Sequence, residues 1–220
     1  PKTYHHGDLR AAALKEGRRI LAKEPEADVS LRAIARGVGV AHRALYRHFA
    51  DLAAFEAALA AEAFEELAQA VEQTSDPAAF LKAYAAFALD QPGLYALTMR
   101  QTTAAMAAHP LLRRAVDRMI AASVKGLAAE DADPDAARRA VMRLWMLAHG
   151  GVSLHRAGML RDRDDAAFIA ELVTIAGLEP YSRALAHRLC APPQSPLHPA
   201  LPLGDKADGL GCGRGRPVGR

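Results

Sequence analysis

Apolar side chains recur every three to four residues along most of this 220-residue chain, and no stretch alternates apolar and polar positions for more than a few residues. The first spacing is that of one face of an α-helix, whereas a half-buried strand requires the second. Prolines, glycines and capping residues divide the pattern into segments. The pattern predicts an all-α fold of about nine helices.

The predicted helices are joined by short connections. They cover residues 7–23, a pair of short helices within 29–49, then 51–73, 75–90, 94–107, 111–128 and 134–156. A last helical region covers 164–189 and is interrupted at Gly177 and Pro180. Asp133 followed by Pro134 is a strong start signal, because Asp caps a helix and proline suits the first helical position. Gly17 is a local conflict, since glycine inside a helix costs about 1 kcal/mol.

The long helix predicted over 51–73 has an apolar stripe and an acidic opposite side. The stripe is formed by Leu52, Phe55, Leu59, Phe64 and Leu67. Glu62, Glu65, Glu66 and Glu72 are expected on the outside. Such a stripe indicates a helix packed against a core.

The segment from Val29 to Phe49, VSLRAIARGVGVAHRALYRHF, predicts two short helices joined by a tight turn. Ser30 is a good N-cap, and Gly37 and Gly39 tolerate the left-handed backbone of a turn. The second helix should expose a basic and aromatic face: His42, Arg43, Tyr46, Arg47 and His48. Arginine pairs with guanine edges, and tyrosine or histidine can bond phosphates. The alternative is a plain helical hairpin with a solvated basic face.

Charge is divided unevenly along the chain. The net charge of +3 is the sum of +5 over residues 1–50, −4 over 51–190 and +2 over 191–220. A basic first quarter on an acidic body is expected of a DNA-binding head on a sensing or dimerising body.

Several classes of protein are not indicated by the sequence. Cys190 and Cys212 do not form a metal-binding spacing, and we expect no cofactor, no metal and no catalytic site. No secretory signal or apolar run of 18 residues is present, which predicts a cytoplasmic protein that does not enter the membrane. Residues 190–220 hold six prolines and six glycines and are expected to be a disordered tail.

The stretches SLRAIARGVGV and ALYRHF resemble the DNA-binding region of the TetR family of repressors, and YHHGDLR at residues 4–10 resembles the opening of the first helix in one branch. The resemblance implies a DNA-binding domain at 7–50, with the linking helix to about 67, a ligand-binding and dimerisation domain at 51–189, and the tail at 190–220. Two positions depart from the family pattern. Ala41 replaces a frequent Ser or Thr that caps the recognition helix, and Leu52 replaces a Lys that meets a phosphate.

The resemblance also implies how this protein binds its partners. A homodimer formed by the last two body helices would bind a double-stranded palindromic operator, and a small molecule would tilt the long fourth helix and release the DNA. His42 and Arg43 are expected to read base edges. The remaining predicted DNA-binding residues are Ser30, Arg32, Ala41, Tyr46, Arg47 and His48.

The stretch WMLAHG, residues 145–150, resembles a Trp–His–Gly signature of one class of C-terminal domain in that family. Trp145 and His149 are four residues apart and so share a helix face. The predicted pocket for a small apolar or aromatic effector is lined by Phe80, Tyr84, Phe87, Tyr95, Met99, Met106, Trp145 and His149. The alternative is that Trp145 and His149 are packed core residues.

Other functions remain compatible with these patterns. A helical enzyme or small-molecule carrier with an incidental basic N-terminus would show turnover or a tightly held cofactor. An architectural DNA-binding protein would bind a palindrome and a random duplex alike. The Arg214–Pro217 stretch resembles the core of an AT-hook, a minor-groove arm, although a dispensable tail is the simpler interpretation.

Overall fold

The computed structural model describes residues 8–74, 76–127, 133–160 and 164–178. These ranges form ten α-helices and no strand, which confirms the all-α prediction with one helix more than expected. The helices are α1 (Asp8–Lys23), α2 (Leu31–Val38), α3 (His42–Leu45), α4 (Leu52–Glu72), α5 (Pro77–Asp90), α6 (Pro92–Met99), α7 (Thr103–Ala108), α8 (Pro110–Leu127), α9 (Pro134–Arg156) and α10 (Asp165–Ile175).

Side-chain caps begin several of these helices at residues that the sequence predicts. Ser30 Oγ accepts a hydrogen bond from the Ala33 amide at 3.2 Å and starts α2. Asp51 Oδ1 accepts from the Ala54 amide at 2.7 Å and starts α4. Each cap satisfies a backbone amide that the first turn of a helix leaves without a partner.

The helix predicted over 94–107 is wrong in two respects. It begins earlier, because Pro92 occupies the first helical position, where the missing amide is not needed. It also divides after Met99, since Thr102 Oγ1 accepts from the Ala105 amide at 3.1 Å and caps a separate helix, α7. Threonine suits a helix interior less well than a cap.

The second helix of the segment 29–49 is shorter than predicted. α3 ends at Leu45, and the chain continues as a turn in which the amides of His48 and Phe49 donate to the Leu45 carbonyl. Ala41 precedes α3 and supplies no side-chain cap, as the departure from the family pattern implies. Leu45 and Phe49 are buried as predicted.

α4 is the central helix of the described chain and packs against α1, α5, α6 and α8. Phe55, Leu59, Phe64 and Leu67 are buried as predicted, but Leu52 is 37% exposed and does not belong to the buried stripe. Leu52 is the first residue of α4, and the first buried residue of that helix is Phe55.

The glutamates of α4 bind its neighbours through arginines. Arg18 of α1 lies 3.3 Å from Glu62 and 2.8 Å from Glu66. Arg118 of α8 contacts both Glu65 and Glu72. These ion pairs are partly exposed, so we expect them to orient the helices more than to stabilise them.

Gly17 is explained by the close approach of α1 to α4. A Cβ atom at this position would lie 2.7 Å from the Cζ atom of Phe55 and 3.1 Å from a methyl group of Leu59. A side chain here would force the two helices apart, so the cost of glycine in the helix is offset by packing.

The described residues include only part of the region for which C-terminal helices and a tail are predicted. α9 has the predicted bounds at residues 134–156, but among its predicted apolar residues Leu154 is exposed. The helical region from 179 to 189, the tail with Cys190 and Cys212, and the Arg214–Pro217 stretch lie outside the described residues. No helix within the described ranges combines the length and apolarity needed to cross a membrane.

Replacing Asp76 by alanine is expected to lower the free energy of unfolding by about 1 kcal/mol, because Asp76 Oδ1 accepts from the Ala79 amide at 2.8 Å and caps α5. In a chain of this length that loss lowers Tm by about 2–4 °C. Asp76→Asn is the matched control, since asparagine caps as well as aspartate. Equal Tm losses for both variants would show that the cap is not the stabilising contact.

Candidate functional site

The turn between α2 and α3 positions the predicted DNA-reading face. Gly39 has φ +80°, in the left-handed region, and the amides of Gly39 and Val40 donate to the Ala35 carbonyl at 2.9 and 3.0 Å. Ile34 and Ala35 of α2 and Leu45 of α3 are buried. The two helices are therefore held by one small core, with the opposite side of α3 facing solvent.

The outward side of α3 and of the turn after it is basic and aromatic. Arg43, Tyr46 and Arg47 are exposed, and Tyr46 keeps 50% of its surface accessible. His42 is half-buried and meets Tyr46 edge-to-face, with ring centroids 5.1 Å apart. Residues 29–50 hold four arginines and no acidic residue, so no carboxylate within this segment offsets the positive charge.

The eight predicted DNA-binding residues fall into two groups. Six lie at the N-cap of α3, on α3 or on the turn that follows it: Ala41, His42, Arg43, Tyr46, Arg47 and His48. Ser30 and Arg32 lie at the N-terminus of α2, where both are exposed and Ser30 already caps the helix. A helix N-terminus carries partial positive charge, which suits a phosphate contact.

Arg10 of α1 is a residue that the sequence did not assign to this site. Its guanidinium lies 4.9 Å from the centroid of the Phe49 ring. This cation–π contact places the positive charge of Arg10, on α1, beside the turn that follows α3. No local pattern reveals the contact, because the two residues are far apart in sequence.

The predicted effector residues meet in a hydrogen-bonded chain between three helices. The hydroxyl groups of Tyr84 on α5 and Tyr95 on α6 lie 3.1 Å apart. Tyr95 Oη is 2.5 Å from Nδ1 of His149 on α9. Trp145 stacks on His149 with centroids 5.6 Å apart and an interplanar angle of 17°.

Tyr84 and Tyr95 are buried, whereas Trp145 and His149 are half-buried. Burial raises the pKa of Tyr84 above its usual range, and the neighbouring Tyr95 adds to the effect. Burial also raises the pKa of Tyr95, against the opposing effects of the Tyr84 hydrogen bond and the charge of Arg156. Both phenols therefore remain protonated hydrogen-bond donors near neutral pH.

Of the other four predicted effector residues, only Phe80 makes a ring contact with the hydrogen-bonded residues within the described ranges. Phe80 is buried and stacks on Tyr84 with centroids 6.3 Å apart. Phe87 is buried, and Met99 and Met106 are partly buried against the same core. Within the described ranges these last three make no ring contact or hydrogen bond with the four-residue chain.

A large cavity lies away from these predicted residues. It has a volume of about 630 Å³ and is lined by Arg10, Leu14, Arg18, Ala58, Ala61, Glu62, Glu65, Glu66, Gln69, Leu111 and Ala115. Small residues of α4 and α8 leave this space open, a feature that helical periodicity does not reveal. Among the described residues no group of three His, Cys, Asp or Glu side chains could hold a metal ion.

Tyr84 and Tyr95 are expected to resist ionisation as the pH passes the ordinary tyrosine pKa of about 10. Because their folded-state pKa values are raised, the stability they contribute is complete below pH 10 and falls as the pH rises toward those values. The measurement is phenolate absorbance against pH in the native and the denatured protein, with Tyr84→Phe as control. Superimposable native and denatured curves would contradict the expectation.

Comparison with known proteins connects both sites to one family. Residues 13–55 match the profile of bacterial regulatory proteins of the tetR family. Residues 77–175 match that of the tetracyclin repressor-like C-terminal domain. Together the two matches cover more than half of the chain. The comparison with curated proteins gives no significant match.

Solved structures share the fold. A protein of unknown function from Rhodococcus sp. RHA1 is 29% identical, with a TM-score of 0.64, covering 86% of this chain and 97% of its own. A structure described as a regulatory protein is 24% identical, with a TM-score of 0.62 and coverages of 80% and 99%. A TetR variant from Acinetobacter baumannii in complex with minocycline is 24% identical, with a TM-score of 0.51 and coverages of 80% and 97%.

Proposed function

The chain belongs to the TetR family, whose members are DNA-binding transcriptional regulators and not enzymes, and on this basis we propose that it is a cytoplasmic repressor. It binds a palindromic operator as a homodimer and releases the DNA when a small apolar or aromatic molecule binds its body. The observation that carries the proposal is the exposed basic face of α3, held by the Gly39 turn and by buried Leu45. A short helix anchored in this way can enter the major groove.

Contacts with DNA divide by position on this face. Arg43 and His42 stand on α3 itself and are proposed to reach base edges. Ser30 and Arg32 at the start of α2, together with Tyr46 and His48, are proposed to bind phosphates. Ala41 lies directly before α3 and Arg47 lies in the turn after it, and both are proposed to belong to the DNA-binding surface.

The proposed dimer interface uses α9 and α10. Met142 and Met146 are one turn apart on α9 and are 45% and 54% exposed. Leu154 continues this exposed apolar surface, and Ile175 is exposed on α10. Methionine packs well against irregular surfaces. A second copy of this chain would therefore bury the apolar side chains of α9 and α10 that are exposed to solvent in the monomer.

The dimer is tested by placing a charge on that face. Met146→Glu is expected to give monomers in sedimentation analysis, because a buried unpaired carboxylate is costly. Leu111→Glu on α8, which is also exposed, is the matched control and should remain dimeric. A dimeric Met146→Glu variant would place the interface elsewhere.

The proposed effector site is the cluster of Tyr84, Tyr95, Trp145 and His149. Three helices meet there, so a molecule that separates them would shift α5 and α6, and both of these pack on the linking helix α4. A coupling of about 1–3 kcal/mol between effector and operator is typical of such systems. We further propose that the WMLAHG stretch assigns the chain to the Trp–His–Gly branch of the family.

The effector site is tested with Trp145, the only tryptophan in the chain. A compound that releases operator DNA is expected to change Trp145 emission, and His149→Ala is expected to weaken its binding. If a compound releases the operator with unchanged emission and unchanged affinity for His149→Ala, the effector site lies elsewhere in the body.

A further inference from the structure

We propose that the effector of this protein carries an oxygen hydrogen-bond acceptor, a carboxylate above all, that binds Nε2–H of His149 while its apolar ring packs beside Trp145. The proposal rests on the proposed function for the location of the site and names the chemical class of the ligand. It follows from the direction in which the hydrogen-bonded chain donates its protons.

Tyr84, the most deeply buried member of the hydrogen-bonded chain, sets that direction. The Tyr84 hydroxyl lies within hydrogen-bond distance of the Tyr95 hydroxyl, and the nearby indole N–H of Trp145 cannot serve as an acceptor. Tyr84 is almost completely buried, and a buried hydroxyl without an acceptor is costly. Tyr84 therefore donates its proton to Tyr95, 3.1 Å away.

Tyr95 must then pass its own proton outward. Its oxygen accepts from Tyr84, and its hydroxyl faces Nδ1 of His149 at 2.5 Å. Because both phenols keep their protons, Tyr95 donates to Nδ1 and leaves the proton of the neutral imidazole on Nε2. The tautomer of His149 is thus fixed by two tyrosines on two other helices.

The free edge of His149 is consequently a donor. Within the described part of the chain Nε2 has no hydrogen-bond partner, and the ring is half-buried. A ligand that offers an amine would place one donor against another, whereas a carbonyl or carboxylate oxygen completes the chain. Bonds to a charged acceptor are shorter and stronger than bonds between neutral groups.

Nearby charge favours an anion over a neutral ligand. The guanidinium of Arg156 is close enough to lower the pKa of Tyr95, and it contacts the Pro92 carbonyl at 3.4 Å. The platform of Trp145 stacked on His149 supplies the flat apolar surface for the ring of the ligand.

The experiment uses the full chain and three probes of similar size: benzoate, benzylamine and toluene. Their binding is followed by Trp145 emission, with benzoate expected to bind at least about tenfold more tightly than the other two, as for one hydrogen bond to a charged group. His149→Gln, which keeps an N–H donor near Nε2, should retain the preference, and His149→Leu should lose it. Failure of benzoate to bind, or equal binding of benzylamine, overturns the proposal.

A second measurement tests the tautomer without any ligand. Nitrogen-15 spectra of the free protein, with the His149 signals identified by their loss in His149→Gln, should show a proton on Nε2 and none on Nδ1. Tyr95→Phe, which removes the positioning hydroxyl, should mix the tautomers and reduce the benzoate preference. A proton on Nδ1 in the unmodified protein overturns the proposal.

These outcomes are separable from a failure of the proposed function. If the protein binds no operator, the family-based function fails whatever the probes do. If an operator-releasing compound is found that lacks an acceptor and still needs His149, the repressor function stands and the ligand class proposed here is wrong.

Discussion

Replacing Phe55 by alanine is expected to lower the free energy of unfolding by about 3–5 kcal/mol, the range for removing a large aromatic side chain from a core. Phe55 is fully buried, its ring meets Phe49 edge-to-face at 5.0 Å, and its Cζ atom fills the space that Gly17 leaves open. One side chain thus joins α1, the turn after α3 and the linking helix α4. Urea unfolding followed by circular dichroism measures the loss.

Leu52→Ala is the control for this expectation, since Leu52 lies on the same helix but is 37% exposed. Leu52→Ala should lower the free energy of unfolding much less, because shortening a partly exposed side chain leaves no buried cavity. A loss below 1 kcal/mol for Phe55→Ala, or similar losses for the two variants, would contradict the packing of the head onto α4.

Replacing Arg43 by alanine is expected to weaken operator binding by about 1–3 kcal/mol, or roughly five- to 150-fold, and to relax the preference at one base pair. Arg43 is exposed on α3, and the segment around it holds no acidic residue to occupy the guanidinium. Binding isotherms on the operator and on single-base variants at fixed salt measure both effects.

Arg32→Ala is the matched comparison, because Arg32 is also exposed but stands at the start of α2. If Arg32 contacts a phosphate, its replacement should weaken binding to all DNA sequences alike. The slope of log affinity against log salt concentration should also fall by about one. If Arg43→Ala weakens operator and random duplex equally, then Arg43 does not read a base.

Much of the fold could be predicted because its signals are local. Caps such as Ser30 and Asp51 and the proline at position 134 fix helix starts through contacts within one turn. The break at Thr102 was missed because a threonine cap looks like any polar residue in an amphipathic pattern. The early end of α3 was missed because the buried positions of Leu45 and Phe49 suit either a helix or a turn.

The sites depend on contacts between residues that are distant in sequence, and fewer of those contacts could be predicted. Trp145 and His149 are near neighbours and could be paired from their spacing. The bond between Tyr95 and His149 joins α6 to α9 across 54 positions and follows only from the packing of those helices. For the same reason neither Arg10 over Phe49 nor the large cavity between α1, α4 and α8 could be predicted.

Selection of DNA fragments by the purified full-length protein, followed by sequencing, tests the central claim most directly. A dimeric regulator with this basic α3 face should enrich one palindromic sequence whose half-site centres lie about 34–36 Å apart, one turn of duplex. Its binding should fall steeply as salt is raised. Recovery of fragments with no shared sequence, at an affinity equal to that for random duplex, would contradict the assignment of a sequence-specific repressor.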